Sequence, residues 1–253
     1  MIDPTRRFSS RVDNYIKYRP GYPPALIDLL AGECQLTPAS IIADVGSGTG
    51  ILSELFLKHG NLVYGIEPNP EMRAAGEQLL SDYPRFHSLA APAEATSLPP
   101  GSVDFVTAGQ AFHWFDQARA RAEFLRILRP HGWAVLIWND RRTLSAPFQA
   151  AYEQMLQRYA SDYPLVNHKQ VDDEVIAPFF GAGGYRRHCF DNLQRFDYAG
   201  LKGRLLSSSY APEAGHPNHA PMLAELERIF EAHQADGQIV FEYDTTVYYG
   251  QLR

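Results

Sequence analysis

The run Asp44-Val45-Gly46-Ser47-Gly48-Thr49-Gly50-Ile51-Leu52 limits what this chain can fold into more than any other segment. It follows the β-rich stretch Ile41-Ile42-Ala43 and leads into Leu52, Leu55 and Phe56, which share one face of a helix. A strand therefore meets a helix through a loop with almost no side chains. Such a loop lets backbone come close to a nucleotide-like ligand. Twenty-one residues beyond Gly46, a second apolar run, Leu62-Val63-Tyr64-Gly65-Ile66, ends in Glu67. A carboxylate at that place can accept hydrogen bonds from both hydroxyls of a ribose. Together the two features point to an adenosine-containing ligand. The alternative, a glycine-rich strand–helix turn with no ligand, loses most of its force once Glu67 stands at this distance.

The glycine spacing separates the candidate ligands. A dinucleotide site reads Gly-x-Gly-x-x-Gly, with its third glycine five residues after the first. Here the glycines are Gly46, Gly48 and Gly50, position 51 is Ile, and Asp44 heads the run. This Gly-x-Gly-x-Gly pattern resembles motif I of class I S-adenosylmethionine-dependent methyltransferases. The resemblance implies a ligand without phosphate, whose amino-acid tail lies across the glycines. That cofactor carries an ammonium and a sulfonium, which an acid such as Asp44 suits and which a pyrophosphate would not replace, since Asp44 would repel it.

Strand and helix patterns alternate from about residue 24 to 139, which predicts a parallel sheet with helices on both faces. Predicted strands are Ile41–Val45, Leu62–Glu67, Phe86–Ala90, Val103–Ala108 and Trp133–Trp138. Predicted helices between and before them are Pro24–Ala31, Ile51–His59, Pro70–Leu80 and Ala118–Leu128. Further helices are expected over Ala146–Tyr159, Asp172–Phe180 and Leu223–His233, and alternating segments over Tyr185–Phe196 and Ile239–Leu252. The expected fold is α/β: a Rossmann-like, doubly wound, seven-stranded sheet, mostly parallel. In the resembled family the last strand inserts antiparallel between strands five and six. One domain of 1–253 is expected, with a cofactor-binding half (1–139), an inserted helical substrate cover (140–222) and a last helix and strand (223–253).

Composition narrows the class. The chain has 253 residues, 45% hydrophobic and 21% charged, enough to bury a sizeable core. Net charge is −6, and the basic pairs Arg6-Arg7, Arg141-Arg142 and Arg186-Arg187 are scattered, so a nucleic-acid partner is not favoured. Cys34 and Cys189 lack metal-ligand spacing and read as packed thiols, and no metal is assigned. The first residues lack an apolar signal core and no apolar run reaches membrane length, so the cytosol is the expected compartment and no membrane partner is assigned. The oligomeric state is not legible.

The resemblance is good over residues 15–139 and loose over the rest of the chain. Gly65-Ile66-Glu67-Pro68-Asn69 looks like motif II, and Ala93-Glu94-Ala95-Thr96-Ser97-Leu98-Pro99 looks like the adenine segment. Phe124 to Gly132 resembles the approach to strand five, with His131 where the family usually has Gly. Tyr18-Arg19-Pro20-Gly21-Tyr22-Pro23 and Gln110-Ala111-Phe112-His113-Trp114-Phe115-Asp116 are similar to a type-11 small-molecule branch that includes trans-aconitate- and cantharidin-methyltransferase-like proteins. Where many relatives carry an acid that accepts from the adenine amino group, this chain has Pro92. Adenine recognition would then rest on backbone around Ala93, with Glu94.

From these positions the resemblance implies an S-adenosylmethionine site and a small-molecule acceptor. Gly46, Ser47, Gly48, Thr49 and Gly50 would contact the methionine portion, Asp44 would stand near it, and Glu67, followed by Pro68, would hold the ribose. Met72 belongs beside the adenine or in the helix core. Arg19 is either a fork for the cofactor carboxylate or a surface ion pair. Gln110 and Ala111 would touch the methionine end. His113 is the candidate base, since imidazole titrates near neutrality, with a structural hydrogen bond as its alternative. Tyr18, Trp114, Trp138, Asn139, Arg141 and Tyr210 are candidates for the acceptor pocket. Arg141 would favour a carboxylate-bearing acceptor, although Arg141-Arg142 also reads as a solvated pair. Two other functions stay open: a nicotinamide-dependent oxidoreductase, disfavoured by the glycine spacing, and a cofactor-binding module that transfers nothing.

Overall fold

Leu26 and Leu30 bury one side of α1 (Ala25–Cys34), and the chain then alternates strand and helix up to the fifth strand. The computed structural model describes residues 17–160, 163, 173–208 and 210–253. In order follow β1 (Ile41–Val45), α2 (Ile51–His59), β2 (Leu62–Ile66), α3 (Pro70–Leu79), β3 (Phe86–Leu89), β4 (Val103–Gly109), α4 (Gln117–Ile127) and β5 (Leu128–Arg141). Then come α5 (Pro147–Tyr159), α6 (Asp173–Phe180), β6 (Arg186–Phe196), α7 (Tyr198–Leu206), α8 (His219–His233) and β7 (Ile239–Gly250). Local chemistry sets several of these ends. Asn69 caps α3 by accepting from the Met72 amide at 2.8 Å, with Pro70 in the first turn. Gly60, at φ 99°, closes α2 in the left-handed conformation.

The sheet order is β3-β2-β1-β4-β5-β7-β6. β1 to β5 pair in parallel, and β7 runs antiparallel to both β5 and β6. The expected seven-stranded sheet with an inserted antiparallel last strand is the one observed. Strand order turns back between β1 and β4, so their carboxyl ends open the crevice where ligands of such sheets bind. Alternate residues of the central strands feed two cores. Ala43, Leu136 and Trp138 join one with α4 and α6, whereas Ile42, Val135 and Ile137 join the other with α1 and α2. A third core has a different make-up: α5, α7 and α8 bury Tyr152, Leu156, Leu201, Leu205, Leu226 and Ile229 against Phe196 and the first half of β7.

Three details depart from expectation. β5 begins directly after α4 rather than at Trp133, because a register shift lies between the Val103–Leu128 and Phe105–Trp133 pairings. His131 sits in that irregularity at φ 69°, a conformation usual for glycine. α7 was not expected at all. Its sequence carries Gly200 and Gly203, which weaken the helical signal. Asp197 nevertheless caps it, accepting from the Gly200 amide at 2.7 Å, and Gly203 leaves room for the Tyr18 ring. Cys34 is buried as expected, but Cys189 is exposed on β6, which has a partner strand on one side only. Among the described residues, no helix is long and apolar enough to cross a membrane.

Candidate functional site

The glycine loop is tied to the end of β2. The amides of Gly46 and Ser47 both donate to the Ile66 carbonyl, at 2.8 and 3.1 Å, and the Gly48 amide donates to Glu67 Oε2 at 2.9 Å. Gly46 has φ 69°, and a Cβ there would stand 2.5 Å from that of Ala111. Only glycine serves at such a position. Glu67 Oε1 accepts from the Asn69 amide at 2.8 Å, so each carboxylate oxygen has one backbone donor. An ionised carboxylate has about four acceptor sites, which leaves room for two ribose hydroxyls. Burial raises the Glu67 pKa, and the amides of Asn69 and Gly48 oppose that rise.

Asp44, next to last in β1, lies beneath the loop and is 1% exposed. Its carboxylate accepts from Ser53 Oγ at 2.6 Å and Thr107 Oγ1 at 3.2 Å. Burial pushes its pKa up to about 6; the two hydroxyls oppose the shift and the nearby Glu67 charge adds to it. A cation placed beside it would return it to the ionised form.

Two lobes open on either side of Gly46, Gly48, Gly109 and Gln110, which line both. The outer lobe, about 230 Å³, is walled by Glu67, Pro68, Asn69, Met72, Ala93, Glu94, Ala111 and Trp114. Its apolar walls and the Glu67 carboxylate suit a purine and its ribose. The inner lobe, about 50 Å³, is walled by Arg19, Tyr22, Asp44, Ser47, Thr49, Asn139 and Arg204. Thr49 Oγ1 is buried without a hydrogen-bond partner and lines this lobe, a donor and acceptor awaiting a polar ligand. Gln110 stands at the junction with φ 54°, its amide donating to the Ile137 carbonyl and its Nε2 to the Asn139 carbonyl. Strained backbone of this kind gathers where a ligand must be approached closely. The residues present thus fit S-adenosylmethionine, adenosine outward and amino acid inward.

Other expected positions fall elsewhere. Trp138 is buried in the sheet core against Phe112 and Tyr248, because alternation along β5 turns it away from Asn139. Tyr18 packs edge-on against Phe196 in the third core, and neither lobe has it on its wall. Trp114 borders the outer lobe. His113, in a 3₁₀ turn over Phe112–Trp114, is half-buried and lines neither lobe. Arg19 lines the inner lobe and donates from Nη2 to the Ser207 carbonyl at 3.0 Å. Met72 is buried on α3 and lines the outer lobe. Glu94 accepts from the Asp116 amide at 2.7 Å, which ties the adenine segment to the turn after β4. Arg141 is not solvated: its Nη2 meets Glu153 at 2.5 Å, its guanidinium lies over Tyr152, and Tyr163 and Tyr210 lie beside it. Arg142 is the surface member of that pair, bridging Asp191 and Asp244.

Sequence reasoning passed over Asn69, Tyr22, Glu123 and Arg204. Asn69 had a legible signal, a cap residue before Pro70. Glu123 accepts from both the Thr96 amide and Thr96 Oγ1 and pairs with Arg126, which in turn donates to the Leu98 carbonyl. That clamp anchors the segment bearing Ala93 and Glu94.

Comparison with known proteins agrees with this geometry. Residues 43–136 match the model of a family described as a methyltransferase domain. An uncharacterized methyltransferase-like protein of Schizosaccharomyces pombe is 32% identical over 226 residues, 88% of this chain and 86% of that protein. An uncharacterized methyltransferase of Mycobacterium tuberculosis is 39% identical over 139 residues, and the chain spans about half (54%) of that relative's length. The structure of a putative type II methyltransferase from Anaeromyxobacter dehalogenans shares the fold, with a TM-score of 0.71 and 23% identity, covering 93% of this chain and 98% of the other. A sheet that turns back at β1 and β4, a glycine loop without a phosphate cradle, and a near-full-length relative above 30% identity agree: the chain belongs to the methyltransferase family, whose cofactor on this fold is S-adenosylmethionine.

Proposed function

We propose that this chain transfers the methyl group of S-adenosylmethionine to a small-molecule acceptor. The observation that carries the reading is the pair of lobes meeting at Gly46, Gly48, Gly109 and Gln110, with Glu67 in one and Asp44 and Arg19 in the other. Bound there, the cofactor supplies an electrophilic methyl on sulfur. Glu67 holds the ribose, Arg19 takes the carboxylate, and Asp44 favours the positive charges. The amides of Gly46, Ser47 and Gly48 are spent on Ile66 and Glu67, which leaves them no role in cradling a pyrophosphate.

Methyl transfer from a sulfonium is an in-line displacement, and holding donor and acceptor in line supplies an effective molarity of roughly 10⁵–10⁸ M. Positioning is therefore the main catalytic term in this reading. A general base adds roughly 10²–10⁴-fold where the acceptor carries a proton. Since His113 lies off both lobes, His113→Ala is expected to leave cofactor affinity unchanged, and a turnover loss of that size would assign it the base role. The net charge of −6 and the scattered basic pairs favour a small acceptor over a nucleic acid.

Thermal unfolding with and without ligand tests the cofactor reading. At about 100 Kd of S-adenosylmethionine the native state gains roughly 2.7 kcal/mol, or about 5–11 °C in Tm for a chain of this size. NADH is expected to give no shift, and Glu67→Ala to lose most of the shift with S-adenosylmethionine. A shift with NADH alone would overturn the reading. Methyl transfer itself is read with labelled cofactor against a panel of small acceptors.

A further inference from the structure

The segment Arg19–Pro23 forms neither helix nor strand, and Pro20 and Pro23 have no backbone N–H to offer a neighbour. It nevertheless gives Arg19, Pro20 and Tyr22 to the wall of the inner lobe. Tyr22 lies so close to Gly109, at the junction of the lobes, that a Cβ there would collide with its hydroxyl. The middle of the segment has no packing of its own. Gly21 is exposed, and a Cβ on it would meet nothing within 4 Å. Its hold comes from β6, at the edge of the sheet. Asn192 Nδ2 donates to the Gly21 carbonyl at 2.8 Å, and Gln194 Nε2 donates to the Tyr18 carbonyl at 3.3 Å. Neither Asn192 nor Gln194 lines either lobe.

The orientation of Asn192 is fixed by its partners. A carbonyl only accepts, so the amide nitrogen must face Gly21. The same nitrogen lies 3.1 Å from Thr245 Oγ1 and 3.2 Å from Asn139 Oδ1. Thr245, buried on β7, donates its hydroxyl to Asn139 Oδ1 at 2.5 Å, which turns Asn139 Nδ2 towards the Gly21 carbonyl, 3.2 Å away. The Asn139 carbonyl in turn accepts from Gln110 Nε2 at 3.1 Å. One chain of hydrogen bonds therefore runs from β6 across β7 and β5 to the segment on one side and to the junction of the lobes on the other. Partly buried chains of this kind strengthen one another.

We propose that Asn192, seconded by Gln194, is a positioning residue for the cofactor: it latches Arg19–Pro23 across the amino-acid end of S-adenosylmethionine, and the latch must break for the cofactor or its demethylated product to leave. Asn192 touches neither cofactor nor acceptor and acts through Arg19 and Tyr22. The latch is made in the ligand-free chain as well, so weakening it speeds departure without slowing entry. This rests on the cofactor reading above.

The test is stopped-flow binding of S-adenosylhomocysteine to the full chain and to Asn192→Ala, Asn192→Asp and Leu193→Ala, joined to hydrogen exchange over residues 18–22. Asn192→Asp keeps the shape of the side chain but removes the donors. Leu193, the next residue on β6, is 55% exposed and serves as the control. Dissociation should be roughly 3- to 10-fold faster in Asn192→Ala, the net worth of one hydrogen bond, with association no slower than in wild type. Asn192→Asp should release at least as fast, and Leu193→Ala at the wild-type rate. In wild type, S-adenosylhomocysteine should slow exchange over 18–22. In ligand-free Asn192→Ala, exchange should rise there and not across β1 to β5. The wild-type exchange arm stands even where a variant fails to fold. Wild-type release from Asn192→Asp, a loss carried by slower association, or equal effects of Leu193→Ala would overturn the proposal. So would exchange over 18–22 that ignores the ligand in wild type, or that rises throughout the sheet in Asn192→Ala. Wild-type protein that fails to bind S-adenosylhomocysteine would instead remove the cofactor reading on which the proposal stands.

Discussion

Asp44 and Gly46 show how much of the site rests on single residues. Asp44 has its folded pKa raised from 3.8 to about 6. A raised carboxylate pKa contributes stability that is present below about 4 and lost as pH rises through about 6. At pH 7 the ionised group costs roughly 3 kcal/mol in the ligand-free chain. The stability of Asp44→Asn relative to wild type should therefore grow between pH 4 and pH 7, read by urea unfolding at both values; a constant difference would contradict it. The cofactor's cations favour the ionised form, so S-adenosylmethionine affinity should rise with pH through about 6, with a proton released on binding. Gly46→Ala forces a Cβ to 2.5 Å from that of Ala111 at a left-handed φ. The expected loss is roughly 1–3 kcal/mol of stability, together with cofactor binding. A variant that binds as wild type does would mean that the loop yields more readily than its geometry implies. Both residues were legible from motif and spacing. Arg204 was not, because a guanidinium reaching a cleft from a distant helix leaves no local pattern.

At the scale of elements, regular periodicity and punctuation carried the reading. Ile51–His59, with Gly60 behind it, and Ile41–Val45 were expected with the bounds they have. α7 escaped because tertiary contacts override its two glycines: Gly203 exists for the Tyr18 ring and Asp197 supplies the cap. β5 was expected too short because irregular pairing hides alternation. The acceptor-pocket residues scattered for the same reason, since a period of two sends Trp138 into the core and Asn139 into the lobe. The adenine segment depends on a clamp that no motif announces. Glu123 sits in the second half of α4, and Arg126 and the two Thr96 donors hold its pKa down to about 2. That stabilisation is present above about 4.5 and lost as pH falls through about 2. Glu123→Ala is expected to cost roughly 2–4 kcal/mol and to raise hydrogen exchange across residues 93–98. Unchanged exchange there would show that the segment is held by other contacts.

For the whole molecule, the sheet with its two faces builds the cofactor cleft, and the third core of α5, α7 and α8 overlies β6 and β7. The cover expected over residues 140–222 would have to include α8, which packs against α5 in that core. Leu226 is fully buried there, away from the outer lobe. Leu226→Ala should cost roughly 2–5 kcal/mol by denaturant unfolding. Below its unfolding range it should lower methyl transfer while leaving S-adenosylhomocysteine affinity within about twofold of wild type, a difference of under 1 kcal/mol. Equal losses of both would mean that the third core supports the cofactor site directly.

The most direct measurement is a crystal structure of the chain with S-adenosylhomocysteine. The purine should lie between Met72, Ala93 and Ala111, both ribose hydroxyls on Glu67, and the amino-acid carboxylate on Arg19, with the sulfur at the junction beside Gln110. A ligand bound outside these two lobes, or turned end for end within them, would contradict the reading.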